Sequence, residues 1–161
     1  MVKMKKVKKI FEEVREAFPE VKEMVSLVYP HFSFHLLDNF TVYLAVSGTL
    51  EDFREELGRE PELIVPSKIR RYGISVLPYI EDENVIRALI SHEFGEILLR
   101  ETHPSYRLLD DEEREVLADK LACERGFGKE LSYLFTKELE KDSPSLDKKF
   151  LRERLAILCH Q

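Results

Sequence analysis

Apolar residues recur at steps of three and four from the start of the chain. Val7, Ile10, Phe11, Val14 and Phe18 predict an amphipathic helix over residues 4–17. Pro19 ends that helix and can open a second, with Val21, Met24, Val25 and Val28 as its apolar stripe and Pro30 as its stop. From His31 to Ser47 the pattern changes. The stretch 40–46 (Phe-Thr-Val-Tyr-Leu-Ala-Val) is rich in β-branched and aromatic residues and predicts a strand. A short helix over 50–57 and a loop carrying prolines and charges follow. Residues 72–80 predict another strand, and Pro78, which cannot donate to a ladder, marks it as an edge strand or marks its end. Asp82 caps a long helix that runs to about Arg100. Pro104 forces a break. Three more helices are expected at about 110–125, 128–140 and 144–159, the last with Ser143 as N-cap and Pro144 at its first position. The fold class is α+β, with few strands and many helices.

Length supports one domain: 161 residues are enough for a single hydrophobic core. Within it the pattern separates N-terminal helices (1–30), a strand-rich part (31–80), a central helical pair (81–125) and C-terminal helices (126–161). A formal charge of −6 argues against a dedicated nucleic-acid binder. The one basic run, Lys3 to Lys9, reads as a solvated helix start. Without an apolar stretch behind that run, and without a span long enough for a bilayer, the expectation is a cytoplasmic protein with no membrane partner. Asn and Gln are scarce while Glu, Lys and Arg abound, a bias that resembles heat-adapted proteins. Cys123 and Cys159 have neither zinc-knuckle nor redox spacing, so both are expected reduced.

The long helix over 82–100 carries the chemistry. Ile86, Ile90, Phe94 and Ile97 form its core arc, and Asn84, Arg87, Ser91 and Gly95 form an arc read as less buried. His92, Glu93, Glu96 and Arg100 make a second polar arc among Val85, Leu89 and Leu99. Two separated polar arcs suit a central helix with one arc on a cleft. Residues four apart share a helix face, so His92 and Glu96 project together, with Glu93 one step round. Glu115 and Asp119 make a similar pair on the next helix, where Ala118 and Ala122 permit close packing. If the turn at 101–109 returns the chain antiparallel, Glu115 joins His92 and Glu96 at a divalent metal. Asp119 then accepts the free N–H of His92, and Glu93 is left as a base. The plainer alternatives are a Glu96–Arg100 pair, a hydrogen-bonded core histidine and a solvated acidic face. If the helix ends near Arg100, His103 or Tyr106 can fold back as a donor to the transition state. His31, His35 and His160 have no partner pattern. Paired Glu-x-x-His motifs of a di-iron bundle and a phosphate-binding glycine loop are absent from the sequence.

The run His92-Glu93-Phe94-Gly95-Glu96, followed by Glu115 and Asp119, resembles the gluzincin branch of zinc metallopeptidases, particularly its minimal-scaffold members. The resemblance spans residues 74–125. It implies a zincin-like fold, a small sheet against a central metal-site helix, with the strand at 74–80 as the edge along which an extended peptide adds. It implies His92 and Glu115 as ligands, Glu93 as the general base toward the metal's water, and Asp119 as support for His92. Glu96 stands where the family has a second histidine. One imidazole and two carboxylates make a harder, more anionic site. Zinc is the first expectation, with manganese, iron or magnesium better tolerated than usual. The implied activity is peptide or protein hydrolysis; the alternative is a zincin-like scaffold that binds or regulates without catalysis.

Overall fold

The computed structural model describes residues 4–30, 43–141 and 147–159. Helix α1 (Met4–Arg15) buries Val7, Ile10, Phe11 and Val14, the stripe its spacing predicts. The stripe continues into Phe18, which with Phe11 packs on Phe94 at ring-centroid distances of 5.2 and 5.4 Å, respectively.

The second N-terminal helix does not exist. After a single helical turn at Lys22–Met24, Val25–Val28 is a strand, β1, with every residue buried. A strand covered on both faces has no alternation to reveal it, and its apolar residues mimic a helical stripe. Its one hydroxyl is satisfied by Ser67 at 2.8 Å. β2 (Ala45–Thr49) begins later than the stretch at 40–46, of which residues 40–42 lie outside the described residues. Helix α2 (Leu50–Leu57) follows, closed by Gly58 at φ 71°. A strand β3 (Leu63–Val65) occupies what the sequence reads as loop, and β4 is Tyr72–Val76.

The sheet order is β2-β4-β1-β3. β4 runs parallel to β1 and antiparallel to β2, so it is an interior strand, not the edge. Pro78 lies beyond its end, where a missing N–H costs no ladder bond. The edge next to the helices is β2.

Helix α3 (Glu83–Thr102) starts at Asp82, whose carboxylate accepts from the N–H groups of Asn84 and Val85. Of its 20 residues 12 are buried; of the arc read as less buried, Asn84 is exposed and Arg87 half-buried as expected, whereas Ser91 and Gly95 are buried, Gly95 against the next helix. A glycine adds nothing to an apolar stripe in a pattern, yet it is the residue that lets a neighbouring helix approach. Helix α4 (Asp111–Ala122) opens with a reciprocal cap between Asp110 and Glu113. A wide turn at Cys123–Phe127, with Gly126 at φ 101°, delivers α5 (Gly128–Glu140). Helix α6 (Lys148–Cys159) is capped by Asp147, which accepts from the Phe150 N–H at 3.0 Å. The Ser143 and Pro144 start falls outside the described residues, as do His31, His35 and His160. Among the described residues no helix is long and apolar enough to cross a membrane.

Candidate metal centre

Helices α3 and α4 run antiparallel: His92 meets Asp119, whereas one turn further along α3 Glu96 lies near Glu115. The packing is closest at Gly95. A methyl group there would stand 2.6 Å from the Ala118 carbonyl oxygen and 3.3 Å from its carbon. Gly95→Ala therefore has to push α4 outward, carrying Glu115 and Asp119 with it. The expected cost is about 1–3 kcal/mol of stability together with weaker cation binding. Denaturant unfolding and a zinc titration check this; a variant with unchanged values for both would refute the role of this contact.

The Nδ1–H of His92 donates to Asp119 at 2.9 Å, which fixes the ring and turns Nε2 to the cluster. Nε2 lies 3.2 Å from Glu115 Oε2 and 3.8 Å from Glu96 Oε2. One ligand atom from each of the three residues falls within 4.8 Å of the others. Bonds of about 2.0–2.2 Å in a tetrahedron put ligand atoms roughly 3.3–3.6 Å apart. The spacing fits a divalent cation with little movement. One nitrogen and two carboxylate oxygens also suit such an ion chemically.

Glu93, buried beside this group, is not among the three. Burial pushes its carboxyl up to about 8, helped by the charges of Glu96 and Glu115 and opposed by His92 and a hydrogen bond with Ser47. Glu96 is raised too, first by burial and then by Glu115, with His92 opposing. For His92, burial alone disfavours the charged ring, but the hydrogen bonds to Asp119 and Glu115 outweigh it and hold the imidazolium well above its usual range. Burial likewise opposes ionisation of Glu115 and Asp119. The His92 bond holds Glu115 below the ordinary carboxylate range, and Arg154 and His92 together do so for Asp119. A cation held by these three groups would have to displace the Nε2 proton.

Arg154, on α6, is the residue that sequence reasoning missed. Its Nε and one terminal nitrogen grip both oxygens of Asp119 at 2.8 and 2.9 Å, and the same nitrogen lies 3.4 Å from Glu115. The guanidinium rests 4.4 Å from the Phe135 ring centroid and 5.4 Å from that of Phe150. One signal was present. Leu151, Arg154, Leu155 and Leu158 share one helix face, so an arginine sits in an apolar stripe.

The remaining candidates divide. Tyr106 shares a small cavity with Glu96 and Ser47, and its phenol is raised by burial and then by Glu96. His103 lies in the adjoining cavity, with Arg71 and Arg100; its Nδ1 accepts from the Ser105 N–H at 3.2 Å. The alternative partner of Glu96, Arg100, is 3.9 Å from Asp52 and lies over the Tyr72 ring. Cys123 is a half-buried free thiol pushed up to about 11, by burial first and by Asp119 next, which disfavours its thiolate at neutral pH.

The centre opens into a cavity of about 410 Å³ lined by His92, Glu93, Glu96, Glu115 and Arg154 on one side and by residues 43–47 on another. Five consecutive residues line it, so β2 presents its edge and not one face. Bonds from Leu77 N–H to Leu44 O (3.1 Å) and from Leu50 N–H to Arg71 O (2.9 Å) bracket the β2–β4 ladder. Antiparallel alternation then turns the peptide groups of Ala45 and Ser47 outward. A larger cavity of about 900 Å³ lies between the lysine face of α1 and Ile80–Glu83, remote from the cluster. There Lys6 donates to the Glu81 carbonyl at 3.0 Å. No family model, curated protein or solved structure matches this chain.

Proposed function

We propose that the chain is a zincin-like, metal-dependent peptidase, with His92, Glu96 and Glu115 holding a divalent cation, zinc foremost, and Glu93 as general base. The observation that carries this is the meeting of those three ligand groups beside a fourth buried carboxyl, Glu93, in a cavity walled by a strand edge. When bound, the cation supplies Lewis acidity that polarises a carbonyl and acidifies water. Glu93 takes the proton of the attacking water as its oxygen bonds to the peptide carbon. It returns that proton to the nitrogen as the C–N bond breaks. Ser47 orients Glu93, and Asp119 fixes the His92 ring. Tyr106, beside Glu96, is the first candidate donor to the developing oxyanion, and His103, in the adjoining cavity that Tyr106 also lines, is the second. An extended peptide pairs with the outward groups of Ala45 and Ser47, so β2 replaces the 74–80 strand as the docking edge.

One observation favours a second reading, a non-catalytic binding module. Arg154 and a protonated His92 neutralise Asp119 and Glu115 without any cation, so the fold stands without metal. Metal analysis separates the two. Protein dialysed against excess zinc and then buffer is expected to retain one equivalent, lost in His92→Ala and in Glu115→Ala. Retention well below stoichiometry in the unaltered protein would remove the peptidase reading. Glu96→His is expected to tighten zinc binding, since a second imidazole suits zinc better than a second carboxylate does.

A further inference from the structure

Glu138 has no part in the chemistry above, yet it is buried, with 9% of its surface exposed, and lines the same cavity. On α5 it follows Leu131, Leu134 and Phe135 along one face, so a carboxylate closes an otherwise apolar wall. A buried carboxylate is costly without a partner. Its partner is Lys141, whose ammonium lies 3.4 Å away and sits 3.5 Å from the ring centroid of Tyr43, another cavity residue. A carboxylate together with an aromatic face is a cation-recognition pair. Lys141 demonstrates that an ammonium on an apolar stem fits it.

We propose that Glu138 and Tyr43 form a specificity pocket for a cationic nitrogen on an apolar stem, a substrate lysine or arginine side chain, and that Lys141 fills it until substrate displaces it. The inference rests on the peptidase reading for the direction of the substrate. Ser47 of β2, which contacts Glu93, and Tyr43, two residues before that strand begins, are four residues apart along the chain. That is at most ~13 Å, the reach of about two extended residues plus a lysine side chain. The selected residue therefore lies within two positions of the bond beside Glu93. Leu131, Leu134 and Phe135 line its aliphatic stem.

The test uses the full chain carrying Glu93→Gln, so that peptides bind without turnover. Acetylated, amidated alanine hexapeptides with a single lysine are compared by calorimetry with the same peptides carrying norleucine. Lysine is expected to bind at least about tenfold tighter. Adding Glu138→Gln is expected to erase the difference, and adding Lys141→Met to enlarge it severalfold by removing the resident competitor. A merely structural ion pair would give no gain with Lys141→Met. Equal binding of the two peptides, no binding of either, or a preference that survives Glu138→Gln would each overturn the pocket. A norleucine peptide with a free amino terminus reports whether a terminal amine competes for the same place; preference for it over the lysine peptide overturns the side-chain assignment. Lysine preference without hydrolysis by the unaltered protein rejects the peptidase reading and keeps the pocket. Hydrolysis without lysine preference does the reverse.

Discussion

Glu93→Gln is expected to lower peptide hydrolysis by roughly 10³-fold while the protein keeps its full equivalent of zinc. Glutamine has the shape of glutamate but cannot take up a proton, and Glu93 is not one of the three cation-holding groups. Loss of rate with retained metal therefore isolates the base. The substitution also has a sign in stability. Glu93 in the metal-free fold ionises at about 8, against an ordinary value of 4.5. Its contribution is fully present below pH 4.5 and is lost as pH rises toward and through 8. A neutral glutamine has no such loss, so metal-free Glu93→Gln should gain on the unaltered protein as pH climbs through that window. Paired measurements of kcat, bound zinc and unfolding free energy at pH 5 and pH 8 check all three. Hydrolysis surviving in the variant would eliminate Glu93 as the base.

The second large effect is expected at Asp119. It is 1% exposed and accepts from His92 and, through both oxygens, from Arg154. In Asp119→Asn the side-chain oxygen serves one of these partners, while the amide N–H groups face the other donor. A buried guanidinium or imidazolium loses its nearest carboxylate and keeps only the more distant Glu115, which costs about 3 kcal/mol, the lower end for a broken buried pair. The His92 ring also loses its anchor, so zinc affinity should fall roughly 10- to 100-fold. Denaturant unfolding of metal-free protein gives the first number and competitive zinc titration the second. Adding Arg154→Met should recover part of the stability, because it removes the stranded cation, but not the zinc affinity. A cost under about 1 kcal/mol, in the range of exposed pairs, would show that the Asp119–Arg154–His92 chain is not the brace described above.

Where local rules act alone, sequence and structure agree. The spans of α2 and α5 match their predicted limits, and α3 ends two residues later than expected. Asp82 and Gly58 act locally, by capping and by left-handed backbone, and need no tertiary context. The disagreements have a common cause. The pattern reads β1 as a helix, the family resemblance makes β4 an edge, and Ser91 and Gly95 fall in an arc that reads as less buried. In each, a neighbour that lies far along the chain decides the outcome. Val25–Val28 becomes a strand because β3 and β4 flank it. Gly95 is buried because α4 lies on it.

The candidate centre divides in the same way. Helical periodicity by itself pairs His92 with Glu96 and Glu115 with Asp119, because a 3.6-residue turn puts residues four apart on one face whatever surrounds them. Tertiary structure decided that the two pairs meet, that the Asp119 end faces His92, and that Arg154 arrives from α6 to neutralise them. It also exchanged β4 for β2 as the strand that borders the cavity. Spacing along one helix fixes an angle about its axis. Distance between helices, charge balance in a buried cluster and strand order depend on how separate elements pack.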